Sequence, residues 1–243
     1  MNKNDLFNII GDISDDLIME ASNPAKTIRR IRISKVIVIA AAIVVLLGLT
    51  VFASGVLVRS RSSHSSIIPD YYTTPSQETL QNDIGISPCV VENFSNGYVF
   101  KGASIAENED FGEDGSVFEK YKSLYCNYMR GDDGITLYID ASIAGNQLEH
   151  SDTADTYHGS EIKYFSYTNK LVPGNYRLTE QDKKDEESGK YVFSYGSDDI
   201  ETHEVQGLGW EYGGLNYVIS VMDNSITKDE LVQMAKEIID YQK

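Results

Sequence analysis

Cysteine is scarce in this sequence, two residues in 243, and tryptophan is scarcer, with one. Two cysteines exclude a dense disulfide scaffold and a Cys-rich zinc ribbon. Histidine is limited to four residues. Bases are in the minority, 21 Lys and Arg against 37 Asp and Glu, for a formal net charge of −16 and a pI near 4.6. Phosphate neutralisation needs clustered Lys and Arg, so nucleic acid is excluded as a partner in bulk. Catalytic signatures are also missing. The chain holds no G-x-S-x-G elbow, H-E-x-x-H pair, C-x-x-C pair, Walker loop or G-x-G-x-x-G turn. The expectation is a non-catalytic protein with no cofactor, and no residue is singled out as catalytic, cofactor-binding or metal-ligating.

What the chain does have is one long apolar run. Val36 to Val58 reads VIVIAAAIVVLLGLTVFASGVLV without a charge. As a helix rising 1.5 Å per residue it would reach roughly 34 Å, enough to cross a hydrocarbon core of about 30 Å. A soluble helix of that length would carry a polar stripe. Lys26, Arg29, Arg30, Arg32 and Lys35 precede the run, and only Arg59 and Arg61 closely follow it. The basic flank marks the cytoplasmic side, so the expected topology has the N-terminus inside and the C-terminal bulk outside the cell membrane. Val51-Phe52-Ala53 also resembles a signal-peptidase site. Against cleavage stand the 35 residues before the run, where Asp5, Asp12, Asp15, Asp16 and Glu20 interleave with Phe7, Ile9, Ile10, Ile13, Leu17 and Ile18. A retained anchor is the favoured reading. A cleaved targeting signal, leaving a secreted or surface-displayed module, is the alternative.

Four segments follow: a cytoplasmic piece at 1–35, a transmembrane helix at 36–58, a tether at 59–84 and an extracytoplasmic domain at 85–243. Residues 1–25 read as one or two short helices with Ser14 as a cap and Pro24 as a stop. They are too short to bury a core alone, which leaves a protein partner such as a cytoplasmic regulator, the membrane surface, or no partner and a role as an orientation signal. The tether is rich in Ser, Thr and Pro and reads as an extended spacer lifting the outer domain from the bilayer. Charge is partitioned as well. Five of the 37 acids and six of the 21 bases lie in residues 1–58, which leaves 32 acids and 15 bases for residues 59–243.

The domain's signals are mostly those of strands. Tyr98 toward Ala106, Tyr121–Met129, Ile135–Ser142, Glu161–Thr168, Tyr191–Tyr195, His203–Tyr212 and Leu215–Met222 are β-rich. Arg130 to Gly134 and Gly213-Gly214 supply hairpin turns. Thr179 and Gly189 bracket a helical turn. Strands so closely spaced predict an antiparallel sheet. Thr227 and Glu230 form a capping box, Ile226 and Leu231 a hydrophobic staple, and Leu231, Met234, Ala235, Ile238 and Ile239 one apolar stripe. The expected fold is α+β, an antiparallel sheet covered by the C-terminal helix and preceded by a single transmembrane helix.

Several polar clusters invite a chemical reading. His150, Asp152, Asp155 and His158 are plausible first-row metal ligands on a loop, but their spacing fits no dedicated motif. Asn108 to Glu119 resembles a calcium loop and fails the register, since alignment on Asp114-Gly115 puts Tyr121 at position twelve. Arg130-Gly131-Asp132 spells an adhesion tripeptide and equally well spells a turn. Cys89 and Cys126 can form a disulfide outside the cell or stay as buried thiols. Asn93-Phe94-Ser95 is a sequon. The many tyrosines fit half-buried strand faces better than a ligand-binding face.

The C-terminal block adds a resemblance. Lys170-Leu171-Val172-Pro173, Tyr176, Leu178-Thr179-Glu180, Ser194-Tyr195-Gly196-Ser197, Trp210, Gly213-Gly214, Tyr217, Thr227 to Leu231 and Met234 to Ile238 resemble uncharacterised single-pass membrane proteins of Gram-positive bacteria. These pair a short acidic N-terminus and a basic stop with an outer domain of unknown function, in a layout similar to anti-sigma factors and envelope sensors. The resemblance implies a signalling protein of the cell envelope with an extracytoplasmic ligand or protein partner. Residues 1–35 contain neither His nor Cys, so no zinc-held anti-sigma module is encoded there.

Overall fold

The computed structural model describes residues 59–63, 68–112, 116–143, 148 and 151–242. The expected helices of residues 1–25 and the apolar run 36–58 lie outside the described residues. Among the described residues, no helix is long and apolar enough to cross a membrane.

Among the described residues, nine strands form one sheet. In chain order they are β1 (Arg59–Ser63), β2 (Val99–Phe111), β3 (Val117–Arg130), β4 (Asp133–Asp140), β5 (Asp152–Tyr157), β6 (Ser160–Pro173), β7 (Tyr191–Ser197), β8 (Glu201–Tyr212) and β9 (Leu215–Met222). Three helices accompany them among the described residues: α1 (Gln77–Ile84), α2 (Glu180–Glu187) and α3 (Lys228–Tyr241). The sheet order is β1-β2-β3-β4-β9-β8-β6-β5, with β7 also on β6. The expected α+β class holds, and so do the two hairpins. Leu215 to Met222 is a strand with the expected bounds, and Gly213 and Gly214 both turn at positive φ, 61° and 78°.

One pairing departs from the antiparallel expectation. β7 runs parallel to β6, from Thr168↔Tyr191 to Pro173↔Ser197. A parallel neighbour needs a crossover, and α2 provides it. Thr179 caps α2 with a full capping box to Asp182, and Gly189 closes it at φ 72°.

The segment expected as a tether is structured at several points. β1 pairs with the end of β2, Arg59↔Phe111 through Ser63↔Glu107. Tyr71 bridges Ala103 with backbone bonds of 3.0 and 2.8 Å. α1 is capped by Ser76, ends at Gly85 in the left-handed region, and buries Leu80 and Ile84. Two apolar residues four apart are too few to announce a helix, yet they suffice once the sheet supplies the other half of the contact. Residues 152–157, expected as part of a polar loop, are the edge strand β5.

β4 and β9 occupy the centre, and both of their faces are buried. Along β4, Ile135, Leu137 and Ile139 face one way and Thr136, Tyr138 and Asp140 the other. The main core joins the first set to Leu124, Cys126, Tyr128, Leu208, Trp210, Tyr217 and Ile219 and to Leu231, Met234, Ala235, Ile238 and Ile239 of α3. The stripe expected on the terminal helix is thus the stripe that is buried. Each such aliphatic side chain contributes about 1.5–3 kcal/mol. On the opposite face a smaller cluster gathers Ala106, Tyr125, Tyr138, Phe165, Val205, Val218 and Met222. Phe165 lies across from Gly207, and Tyr125 across from Tyr138 with ring centroids 4.9 Å apart. Most of the tyrosines are therefore packing residues; among those expected on strands, Tyr195 is the exposed one, at 50%.

Candidate functional site

Register brings several turns to one end of the sheet. The β2–β3 turn, the end of β4, the β5–β6 turn and the β8–β9 turn meet there, because Asp110 pairs Glu119, Asp140 pairs Asn216, Tyr157 pairs Ser160 and Tyr212 pairs Leu215. Between the last three lies an open depression of about 470 Å³, lined among others by Ser142, His158, Glu211, Tyr212 and Asn216. His158 holds a positive φ of 47°, followed by Gly159 at 87°. Its ring packs against Tyr157 at 4.2 Å, and its Nε2 stands 3.5 Å from Asp240 of α3. Tyr157 donates its hydroxyl to the same carboxylate at 2.9 Å. The terminal helix therefore fixes the turn that presents the imidazole.

Beneath the depression runs a buried polar layer. Asn216 Nδ2 donates to Asp140 Oδ1 at 2.6 Å and to the Ser142 carbonyl at 3.1 Å, and the Ser142 amide donates to Asp140 at 2.9 Å. The Glu119 carboxylate accepts from the Ile143 amide at 3.0 Å and from the Ser142 hydroxyl at 3.2 Å. Asn108 and Asp110 are buried beside Tyr121, with Asn108 Nδ2 donating to Ser123 at 2.8 Å. Burial, and then the nearby carboxylates of Asp140 and Asp110, push the Tyr121 phenol well above its ordinary range. Burial does the same to Tyr138, with Asp140 adding to it. These phenols stay protonated at any physiological pH, so they do not serve as bases.

The sequence candidates separate in this frame. Asp155 is on β5, ion-paired to Lys236 of α3 at 2.6 Å, and that hydrogen bond together with the Thr156 amide lowers its carboxyl pKa. His158 joins Asp240, Asp152 is exposed opposite Tyr164, and His150 lies outside the described residues. The suspected metal loop is consequently an edge strand stapled to a helix. Among the described residues, no group of three His, Cys, Asp or Glu side chains could hold a metal ion. The calcium-like stretch is a β-hairpin whose Asn108 and Asp110 point into the sheet's polar layer; its residues 113–115 lie outside the described residues.

Arg130 ends β3 and Gly131-Asp132 make the two-residue turn. Its guanidinium lies over the Tyr98 ring at 4.6 Å and donates to Glu230 at 2.9 Å, so the Arg of the tripeptide braces the helix start. Cys89 and Cys126 are separate thiols. In the sequon, Asn93 is exposed and Ser95 is engaged by Glu237. Sequence reading passed over His203, which stands 2.7 Å from Asp223 and 3.3 Å from Glu201. Its only signal was that it is one of four histidines.

Comparison with known proteins returned no matching family model, curated relative or solved structure. The chemistry of the depression therefore rests on its own geometry: hydroxyls, an amide and an imidazole at the rim, over the buried Asp140–Asn216–Ser142 hydrogen bonds.

Proposed function

We propose that this chain is a single-pass membrane protein of the cell envelope whose C-terminal α+β domain stands outside the cell and binds a ligand or protein without catalysing a reaction. The observation that carries the reading is the uncharged run from Val36 to Val58, with five bases close before it and two close after it. The binding site is the strand-end depression, whose polar rim suits a hydroxyl-bearing or peptidic partner. Residues 1–25, with acids and aliphatics interleaved, contact a cytoplasmic regulator and make the protein an envelope sensor with an anti-sigma-like layout.

Protease added to intact cells tests the topology. The expected result is loss of the domain and survival of a short membrane-embedded N-terminal fragment. An untouched domain overturns the reading. The Val51-Phe52-Ala53 motif favours a second reading, in which cleavage releases the domain; mass spectrometry of the mature protein would then find an N-terminus at Ser54. Affinity capture from detergent-solubilised membranes, with and without residues 1–25, tests the signalling half. A cytoplasmic partner lost on that deletion is the expected outcome, and an unchanged partner set overturns it.

A further inference from the structure

The β2–β3 hairpin tip carries apolar side chains that the domain does not cover. Val117 and Phe118 are each 44% exposed, and Ile143, three residues beyond the end of β4, is 78% exposed. All three stand at the same end of the sheet: Val117 pairs with Phe111, and the Ile143 amide is bonded to Glu119, the neighbour of Phe118. The chain's path fixes what lies beside this patch. The uncharged run ends at Val58, and the next residue, Arg59, is the register partner of Phe111. Partnered residues of antiparallel strands have Cα atoms about 5 Å apart. No spacer separates the apolar run from the tip, contrary to the tether expected from composition.

We propose that the β2–β3 tip rests in the headgroup layer of the bilayer that residues 36–58 enter, so that Val117, Phe118 and Ile143 form a shallow membrane contact. This rests on the reading of that run as a membrane span. A lipid surface fits the patch chemically, because small clusters of Phe, Val and Ile between charged residues such as Glu119 and Lys120 settle at an interface and not in the hydrocarbon core. The excess of acid in residues 59–243, 32 acids against 15 bases, selects a zwitterionic surface over an anionic one. The depression shares Ile143 with the patch and so opens beside the membrane.

The test uses full-length protein in vesicles of phosphatidylcholine containing a phosphatidylcholine brominated near the headgroup end of its acyl chains. Two variants are compared with the parent, whose Trp210 is buried and reports an intact core. Phe118→Trp places a fluorophore at the tip. Ile200→Trp places one at an exposed site beside the first residue of β8, at the opposite end of the sheet. The expected result is roughly threefold stronger quenching for Phe118→Trp than for Ile200→Trp, with a blue-shifted emission. Equal quenching in protein that resists alkaline carbonate extraction overturns the membrane contact and leaves the anchor standing, which is also the outcome if the patch faces another protein. Release by carbonate overturns the anchor, and the contact with it.

Discussion

The side-chain amide of Gln242 pairs with the backbone of Cys89 as a neighbouring strand would. Its Oε1 accepts the Cys89 N–H at 2.8 Å and its Nε2 donates to the Cys89 carbonyl at 2.8 Å. Gln242 is the C-cap of α3, and Cys89 lies in the irregular segment that sends Ile86, Val90 and Val91 into the core. One side chain thus ties the last turn of the terminal helix to a stretch with little secondary structure of its own. Gln242→Ala is expected to cost about 1–2 kcal/mol, since two partly buried backbone groups lose their partners. Urea unfolding followed by Trp210 fluorescence checks the magnitude, and hydrogen exchange should quicken around Cys89 and in the last turn of α3. An unchanged midpoint would sink the idea.

Two glycines on β8 make a graded prediction. A Cβ at Gly207 would run into the Ile219 carbonyl oxygen of the next strand and the Phe165 ring, whereas at Gly209 the first obstacle is the end of the Leu148 side chain. Backbone cannot retreat without breaking the β8–β9 ladder, but a leucine can change rotamer. Gly207→Ala should cost more than about 3 kcal/mol and Gly209→Ala about 1 kcal/mol. Reversal of that order in urea midpoints would mean that the second face of the sheet is not packed as described.

The sequence was legible where one period dominates. The stripe of α3, its Thr227–Glu230 box and the Gly213-Gly214 turn are local signals, and each stands where its residues put it. β1, α1 and β5 escaped because their partners are distant in sequence. Arg59 needs Phe111, Leu80 needs the sheet, and Asp155 needs Lys236, so polar composition spoke only of a spacer and a loop. The depression was invisible for the same reason: Ser142, His158 and Asn216 come from three segments distant in sequence and are joined only by strand register. Tyr121 and Tyr138 read as ordinary strand residues until burial placed two carboxylates beside them.

Acid should loosen the fold from the helix caps inward. Asp182 accepts from Lys170 at 2.7 Å, from the Thr179 amide and hydroxyl at 2.9 and 2.8 Å, and from Tyr176 at 2.8 Å. The lysine first, then these donors, hold its carboxyl well below the ordinary 3.8. Glu230 is lowered from 4.5 by the Thr227 amide and by Arg130. A carboxylate whose folded pKa is depressed stabilises the fold fully above its unfolded value and loses that contribution as pH falls through the folded value. Stability should therefore be flat above about pH 5 and decline below about pH 4. Asp182→Asn should unfold at lower urea at pH 7 and show a shallower acid decline than the parent. An acid decline as steep as the parent's would remove Asp182 from the account.

The two thiols give a last prediction, one that bears on the proposed extracytoplasmic placement. Cys126 is fully buried under α3's core face, and burial pushes its pKa far up; Cys89 is partly exposed and shifted upward by the same cause. Since the thiolate is the reactive form, both should alkylate slowly in the folded protein, with Cys126 the slower. Denaturation without reductant should then expose both to iodoacetamide at once. If the oxidising exterior had joined them, neither would label until a reductant was added. Mass spectrometry of the denatured, unreduced protein separates the outcomes: two added carbamidomethyl groups support free thiols, and none means that the core rearranges to bring Cys89 to Cys126.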